Sequence, residues 1–129
     1  MDFWEACRGK TLEEIWSSPE VKEVKASLRK ELQEMVNDWA SRDHKRHIPV
    51  YISLKPKVKL RGLYYPKPRG GGSIVIFPIE IDGVPAKQVR VRSRQEILET
   101  LKHEYAHHLS RDIPHGPDFW RNYRKVARR

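Results

Sequence analysis

Two histidines four residues apart flank a glutamate in the stretch HEYAH, residues 103–107. On a helix, His103 and His107 would lie about 40° apart and roughly 6 Å from each other, so both imidazoles could bind one metal ion. Glu104 would lie about 100° further round, within reach of a water at the metal without ligating the metal itself. Imidazoles suit Zn²⁺, and a catalytic zinc keeps one position open for water. The stretch therefore predicts a zinc site that hydrolyses peptide bonds, with Glu104 as the general base.

A catalytic zinc site needs a third protein ligand. No glutamate follows His107, and the positions three and six residues after it hold Ser110 and Ile113, which excludes two common arrangements of the third ligand. The remaining candidates are His108, Asp112, His115 and Asp118. On a helix His108 would point about 100° away from His107. His115 lies between a proline and a glycine, after enough chain for a reversal, so it is the predicted third ligand.

The stretch HEYAHHLSRDIPHGPDFWRNYRKVA, residues 103–127, resembles the SprT/Spartan-like zinc metallopeptidases. Their signature is a helix bearing HExxH, a loop, a third histidine followed by glycine, and an aromatic residue that opens a basic helix. The stretch LRGLYYPKPRGGGSIVIFP, residues 60–78, is similar to the family's hairpin before the active-site helix. Two features depart from the family: the loop before the third histidine is short, and a cysteine zinc ribbon is excluded because Cys7 is the single cysteine.

The resemblance implies a zincin-like α+β domain that binds Zn²⁺ through His103, His107 and His115, with Glu104 as general base. It also implies proteolysis of proteins associated with DNA or crosslinked to it. The oxyanion formed during hydrolysis needs a stabilising group besides zinc. The candidates for that role are Tyr64, Tyr65, Tyr105 and His108.

The order of elements predicts an α+β fold in which a long N-terminal helix precedes a small antiparallel sheet and two further helices. Apolar residues recur every three or four positions over roughly 19–41, after Ser18-Pro19, which is typical of a helix start. Alternating apolar residues predict strands over 50–54 and 57–65, an apolar run predicts another over 73–77, and Asp82-Gly83 predicts a hairpin turn. The HExxH helix is predicted over roughly 94–110, and a basic C-terminal helix begins at Pro117 and buries the residues Phe119, Trp120, Tyr123 and Val126.

The net charge of +9 is unevenly distributed. Nine basic residues lie between Arg42 and Arg69 against Asp43 alone, and a second basic cluster closes the chain. Such clusters favour a polyanionic partner, most simply single-stranded DNA, although a solvated basic face is the alternative. The candidate nucleic-acid contacts are Arg42, Lys45, Arg46, Lys57, Lys59, Arg61, Lys67, Arg69, Arg121, Arg124 and Lys125.

The length of 129 residues predicts a single domain, 1–129, and the start of the chain predicts no signal peptide. No stretch has the roughly 20 apolar residues that span a bilayer, so a cytoplasmic or nucleoid-associated protein without membrane contact is expected. Two other functions fit the sequence: a generic cytosolic zinc peptidase without a nucleic-acid role, and a basic DNA-binding module with structural zinc. Glu104 distinguishes the second, because a structural zinc site does not need it.

Overall fold

The long helix α3 begins and ends close to where the sequence predicts. The computed structural model describes residues 1–66, 72–82, 88–110 and 115–129, and α3 spans Pro19–Arg42. The Ser18 side chain accepts a hydrogen bond from the Val21 N–H at 3.2 Å, and Pro19 occupies the first turn, where its missing N–H costs nothing. The buried stripe of α3 comprises Val21, Leu28, Leu32, Val36, Trp39 and Ala40. Two short helices precede it, α1 (Phe3–Cys7) and α2 (Leu12–Ser17).

The central sheet differs from the antiparallel sheet that the sequence predicts. Its strands are β1 (Val50–Ile52), β2 (Gly62–Tyr65) and β3 (Ser73–Ile76), in the order β1-β3-β2. Strand β2 pairs antiparallel with β3, but β1 pairs parallel with β3. The prediction of a wholly antiparallel sheet was therefore wrong, because β2 crosses to the far edge and leaves β3 between two strands that precede it. Alternation of apolar residues identifies strands but does not identify their partners.

A second, two-stranded sheet follows directly. Strands β4 (Ile79–Asp82) and β5 (Gln88–Val91) pair antiparallel, as the hairpin prediction requires, with Ile79 opposite Val91. The predicted turn residue Gly83 lies outside the described residues. The two sheets are separated at Pro78, which has no N–H for a strand ladder.

Helix α4 (Arg94–Leu109) crosses the sheet and carries the HEYAH stretch. The predicted capping box is present: the Ser93 hydroxyl accepts from the Glu96 N–H at 3.1 Å, and the Glu96 carboxylate accepts from the Ser93 N–H at 3.2 Å. Helix α4 packs against β2, β3 and the last helix, α5 (Pro117–Ala127). Ile97, Leu101 and Tyr105 of α4 join one core with the apolar stripe of α3 and the inner faces of β1 and β3. The α+β prediction is confirmed.

The C-terminal helix is less buried than the sequence predicts. Phe119 and Val126 are buried, as expected, and Tyr123 is half-buried. Trp120, which the prediction also placed inside, is 45% exposed. The side chains of Phe119 and Trp120 lie about 100° apart on a helix, so they cannot both enter one narrow interface. In the part of the chain that the structure describes, no helix combines the length and the apolar character needed to cross a membrane.

A buried carboxylate ties the ends of three helices together. Asp43 follows the last turn of α3, and its side chain is only 4% exposed. It accepts two hydrogen bonds from the Arg129 guanidinium, at 2.6 and 2.9 Å, one from Lys125 at 3.0 Å and one from the Tyr105 hydroxyl at 2.7 Å. Burial acts to raise the pKa of Asp43, but the hydrogen bonds from Arg129, Tyr105 and Lys125 outweigh it and hold the pKa well below its usual range.

Because of this cluster, part of the free energy of unfolding depends on pH. The native carboxyl has a lower pKa than the unfolded value of about 3.9, so its contribution is complete above that pH and is lost as the pH falls through the native pKa. We expect Asp43→Asn to lower the unfolding free energy at pH 7 by about 3 kcal/mol, because it leaves Arg129 without its charged partner. Urea unfolding at pH 7 and pH 3 measures this, and the difference between wild type and variant should shrink at pH 3.

The matched control is Asp38→Asn. Asp38 pairs with Arg42 at 3.1 Å, but both side chains are more than half exposed, so the expected loss is below about 0.5 kcal/mol. Equal losses for the two variants, or a difference from wild type that does not depend on pH, would contradict a buried charge cluster at Asp43.

Candidate metal centre

Three imidazole rings meet where α4 faces the start of α5. His103 and His107 lie one turn apart on α4, and His115 lies just before Pro117. The ring centroids are 4.9 to 5.2 Å apart, and the Nε2 atoms of His103 and His115 are separated by 3.3 Å. One ring nitrogen of each histidine can be chosen so that all three lie within 4.8 Å of one another. The structure thus brings together the three predicted ligands.

The other candidates for the third ligand are engaged elsewhere or lie outside the described residues. The Nε2 atom of His108 lies 3.2 Å from the Arg46 carbonyl, and its Nδ1 atom lies 3.3 Å from the Tyr64 hydroxyl. Asp118 lies in the first turn of α5 and pairs with Arg121 at 3.4 Å. Asp112 is not among the described residues. His115 is the candidate whose ring faces His103 and His107.

Phe119 forms an aromatic wall behind the three histidines. Its ring is fully buried, with centroids 5.0 Å from His103, 4.4 Å from His107 and 4.6 Å from His115. Gly116 and Pro117 begin α5 directly after His115, so the first turn of the helix brings Phe119 back over the histidines. The ring therefore limits the positions that the imidazoles can adopt.

The surroundings keep the histidines in the form that binds a metal. Burial lowers the pKa of His103, and the neighbouring His115 lowers it further. Burial and the two neighbouring imidazoles lower the pKa of His107 to about 4. A metal ligand must offer a neutral imidazole nitrogen, so the cluster is suited to a cation at neutral pH.

Glu104 is the least satisfied polar group of the site. Its side chain is buried, with the residue 6% exposed, and its Oε2 atom has no hydrogen-bond partner among the described residues. Burial raises the pKa of this carboxyl to about 7. A buried carboxylate without a partner destabilises a fold unless a cation or a ligand compensates for it. Three convergent imidazoles and this oxygen fit Zn²⁺, which prefers nitrogen ligands and leaves room for a water.

Gly62 allows β2 to approach α4 closely at Glu104. A Cβ atom on Gly62 would lie 2.6 Å from the Thr100 methyl carbon, 3.1 Å from the Val75 carbonyl oxygen and 3.4 Å from the Glu104 Cγ. Any larger residue would push the strand from the helix. Gly62 was part of the strand prediction, but nothing in the sequence indicated this contact.

The three tyrosines predicted to stabilise an oxyanion lie in different places. Tyr105 is fully buried, and its hydroxyl is already engaged, because it donates its hydrogen to Asp43. Tyr65 is 48% exposed and alternates with Tyr64 along β2, so its side chain points to the opposite face. Tyr64 stacks on His107 with ring centroids 6.4 Å apart and lines a pocket together with Glu104. Of the three tyrosines, Tyr64 is therefore the one that lies at the histidine cluster.

His108 positions Tyr64. The Arg46 carbonyl can only accept a hydrogen bond, so the Nε2 atom of His108 carries the hydrogen and its Nδ1 atom accepts one from the Tyr64 hydroxyl. Gly72 packs against the same ring, since a Cβ atom there would lie 2.6 Å from the hydroxyl oxygen. Burial raises the pKa of Tyr64, which keeps the phenol protonated.

Two pockets flank Glu104. One, of about 290 Å³, is bounded by Lys59, Arg61 and Gly62 on one side and by Thr100, His103 and Glu104 on the other. The second, of about 270 Å³, is bounded by Leu63, Tyr64, Pro66, Glu104, His107 and His115. Glu104 lines both pockets, and residues of the edge strand β2 line each of them, so we refer to the two together as the cleft along β2.

The predicted nucleic-acid contacts do not share one environment. Three pair with carboxylates: Arg42 with Asp38, Arg121 with Asp118 and Lys125 with Asp43. Lys57 lies over the Phe77 ring at 5.4 Å, whereas Lys59 and Arg61 line the cleft. Lys45, Arg46 and Arg124 are exposed. Lys67 and Arg69 lie outside the described residues.

Sequence reasoning missed two residues that shape the site. Phe119 was expected in the core, but not against the histidines. Asp43 was noted as the single acid in a basic stretch, but the cations that hold it come from the other end of the chain, which the sequence did not indicate.

We expect the protein to bind one Zn²⁺ per chain. His115→Ala should weaken zinc binding by more than about 100-fold. Loss of a residue that only hydrogen-bonds to a metal ligand already costs up to about 100-fold, and loss of a ligand itself should cost more. His47→Ala is the control, because His47 contacts Ser41 and takes no part in the histidine cluster. Competition with a chromophoric chelator measures both affinities. Equal zinc affinities for the two variants would rule out His115 as a ligand.

Comparison of the chain with known proteins leaves its family open. No family model, no curated protein and no solved structure matches it. The resemblance to the SprT-like metallopeptidases therefore stays a prediction from the sequence. The geometry of the three histidines, Glu104 and the cleft is the basis on which a function is proposed.

Proposed function

We propose that this protein is a SprT-like, zinc-dependent metallopeptidase that cleaves proteins associated with DNA. One observation carries the proposal: a buried, unpartnered carboxylate, Glu104, lies beside a cluster of three histidines at the centre of a cleft. A structural metal site needs ligands but no such carboxylate. The cleft gives the carboxylate access to a substrate.

His103, His107 and His115 would hold the zinc. When bound, Zn²⁺ supplies Lewis acidity, which lowers the pKa of water towards about 7 and polarises a carbonyl oxygen. Glu104 accepts a proton as water attacks the carbonyl carbon of the scissile bond. It then delivers that proton to the nitrogen of the leaving amine, which leaves Glu104 in its starting form.

Tyr64 would stabilise the negative charge that develops on the carbonyl oxygen. Its hydroxyl hydrogen can rotate from His108 towards that oxygen, because a phenol O–H is not fixed in direction. The ring itself stays in place, held by His107, His108 and Gly72. Donors that are already positioned stabilise a transition state without reorganisation.

Strand β2 would align the substrate. It is an edge strand of the three-stranded sheet, so one side of its backbone has no strand partner within that sheet. A peptide that adds a strand there would lie in the cleft, alongside Glu104. Main-chain hydrogen bonds of this kind bind extended, unfolded segments with little regard to sequence.

The basic C-terminal helix supports the link to DNA. Trp120 is 45% exposed beside Arg121 and Arg124, which are also exposed. An exposed aromatic ring among cations can stack on an unpaired base while the cations contact phosphates. Single-stranded DNA is therefore the favoured nucleic acid.

We expect Glu104→Gln to abolish cleavage of an unstructured DNA-binding protein by the zinc-loaded enzyme, with a loss of at least about 10³-fold in kcat/KM. The substitution keeps the size of the side chain and removes the base. Zinc affinity should be retained, and the variant should be at least as stable as the wild type, because glutamine carries no buried charge. Gel-based cleavage assays, zinc titration and thermal unfolding measure the three properties.

The same assay with and without single-stranded DNA tests the nucleic-acid role. Cleavage that needs both Glu104 and DNA supports the full proposal. Cleavage that needs Glu104 but not DNA indicates a generic zinc peptidase. Binding of zinc and DNA by a wild-type protein that cleaves nothing would replace the proposal with a binding module that has structural zinc.

We further expect Tyr64→Phe to lower kcat by about 100-fold with little change in KM or zinc affinity, because it removes one donor to the oxyanion. Tyr65→Phe is the matched control, since Tyr65 is the next residue on the same strand and points to the other face. Steady-state kinetics on a fluorescence-quenched peptide separates kcat from KM. Comparable kinetics for the two variants would remove Tyr64 from the mechanism.

A further inference from the structure

We propose that Lys59 and Arg61 form a specificity pocket that selects an acidic side chain next to the scissile bond. This inference rests on the proposed peptidase function and names its preferred substrate. The pocket of about 290 Å³ lies directly beside Glu104 and His103, and it is large enough for one side chain of the substrate. A group bound there would be adjacent to the bond that is cleaved.

The donors that are free in this pocket are cationic. Lys59 and Arg61 are exposed and form no salt bridge among the described residues, although Arg61 also interacts electrostatically with Glu96. The Thr100 hydroxyl is already engaged, because it donates to the Glu96 carbonyl at 2.9 Å. The only other side-chain donors among the described residues of the pocket wall are the ring nitrogens of His103, which belong to the metal cluster, and the Tyr123 hydroxyl. A carboxylate would thus bind more strongly than a neutral amide, since hydrogen bonds between charged partners are the stronger ones.

One acid lies at the wall, and it does not cancel the two cations. The Glu99 carboxylate accepts a hydrogen bond from the Gln95 amide at 3.2 Å, within the surface of α4. Glu104 also lines the pocket, but its side chain is buried. The exposed charged residues of the pocket are therefore Lys59, Arg61 and Glu99, and a substrate carboxylate entering from solvent meets the two cations.

The second pocket has the opposite character. Leu63, Pro66 and the Tyr64 ring line its strand side, so it suits an apolar side chain. Glu104 lines both pockets, which places the reacting carbonyl between them. A substrate in the cleft would have an acidic residue on one side of the scissile bond and an apolar residue on the other. The preferred substrates are acidic, unfolded segments interrupted by apolar residues.

A nucleic-acid phosphate could also contact Lys59 and Arg61. The location favours a peptide instead, because the pocket of about 290 Å³ lies directly beside His103 and Glu104, where the scissile peptide bond would lie. A side chain with a single carboxylate reaches the cations without bringing a chain of negative charges into the cleft. A peptide carboxylate and a nucleic-acid phosphate lead to different expected results when the charges of Lys59 and Arg61 are reversed.

The test uses fluorescence-quenched peptides that share one sequence except for a residue next to the scissile bond, which is Glu, Gln or Lys. Leu occupies the other side of that bond. Each peptide is made in two versions, with the variable residue before the bond or after it. With the zinc-loaded wild type, the best-cleaved order should show a kcat/KM for Glu at least about tenfold above Gln, as one charge-assisted hydrogen bond allows, and Lys should be lower still. Lys59→Glu/Arg61→Glu should reverse this order, so that Lys exceeds Glu. Lys22→Glu/Lys30→Glu, on the exposed face of α3, changes the net charge equally and should keep the wild-type preference.

Binding to zinc-loaded Glu104→Gln, measured by fluorescence anisotropy of the same peptides, gives a second readout that does not depend on catalysis. The inference is supported if the Glu peptide binds about tenfold more tightly than the Gln peptide and the charge-reversed Glu104→Gln variant loses this difference. Equal cleavage of Glu and Gln peptides overturns it while leaving the peptidase intact. A charge-reversed enzyme that loses DNA binding and keeps its preference for Glu also overturns it. Absence of Glu104-dependent cleavage of every peptide and of an unstructured protein would instead reject the peptidase itself.

Discussion

The rotation of α4 about its own axis determines where His103, Glu104 and His107 point at the candidate site. The helix buries Leu101 and Tyr105 in the shared core, and the Tyr105 hydroxyl reaches Asp43 at the end of α3. With those two side chains fixed, the helical repeat of about 100° per residue directs His103 and His107 towards α5 and Glu104 towards β2. A rotation that moved the histidines out of register would also pull Tyr105 from its carboxylate. The core and the site are therefore positioned by the same contacts.

The fold tolerates an energetically unfavourable group, Glu104, at the candidate site. Glu104 is buried beneath β2 with an unpartnered oxygen, and such a group destabilises the native state. The absence of a side chain at Gly62 lets β2 approach the Glu104 side chain closely, and Glu104 lines both pockets of the cleft. Ionisable groups whose burial destabilises the fold are typical of sites where chemistry occurs. The compensating interactions lie elsewhere, in the core beneath α4 and in the Asp43 cluster that joins three helices.

Local sequence signals predicted the helices well, and the site depends mainly on helices. Ser93 and Glu96 defined the start of α4, Ser18 and Pro19 defined the start of α3, and spacing by four placed His103 beside His107. The parallel pairing of β1 with β3 was not predictable in this way, because strand partners are chosen by long-range packing. The same limit applies to individual side chains: periodicity placed Tyr105 on the apolar face of α4, but it could not show that Asp43 would capture its hydroxyl. His115 was found by elimination among residue types, and only the folded chain shows that Phe119 packs against it.

The basic residues show why net charge is a weak guide to function in a small domain. Asp43 is surrounded in sequence by cations, yet the residues that pair with it come from the other end of the chain. Arg129 and Lys125 therefore stabilise the fold, and the single carboxylate of Asp43 offsets one of their two positive charges. Lys59 and Arg61 belong to the same basic stretch as Lys45, but they border the cleft beside Glu104. At physiological ionic strength, charges more than about 8 Å apart are largely screened from each other. Each cation therefore acts on its immediate neighbours, and the function of the basic stretch is decided by the surface that each side chain reaches.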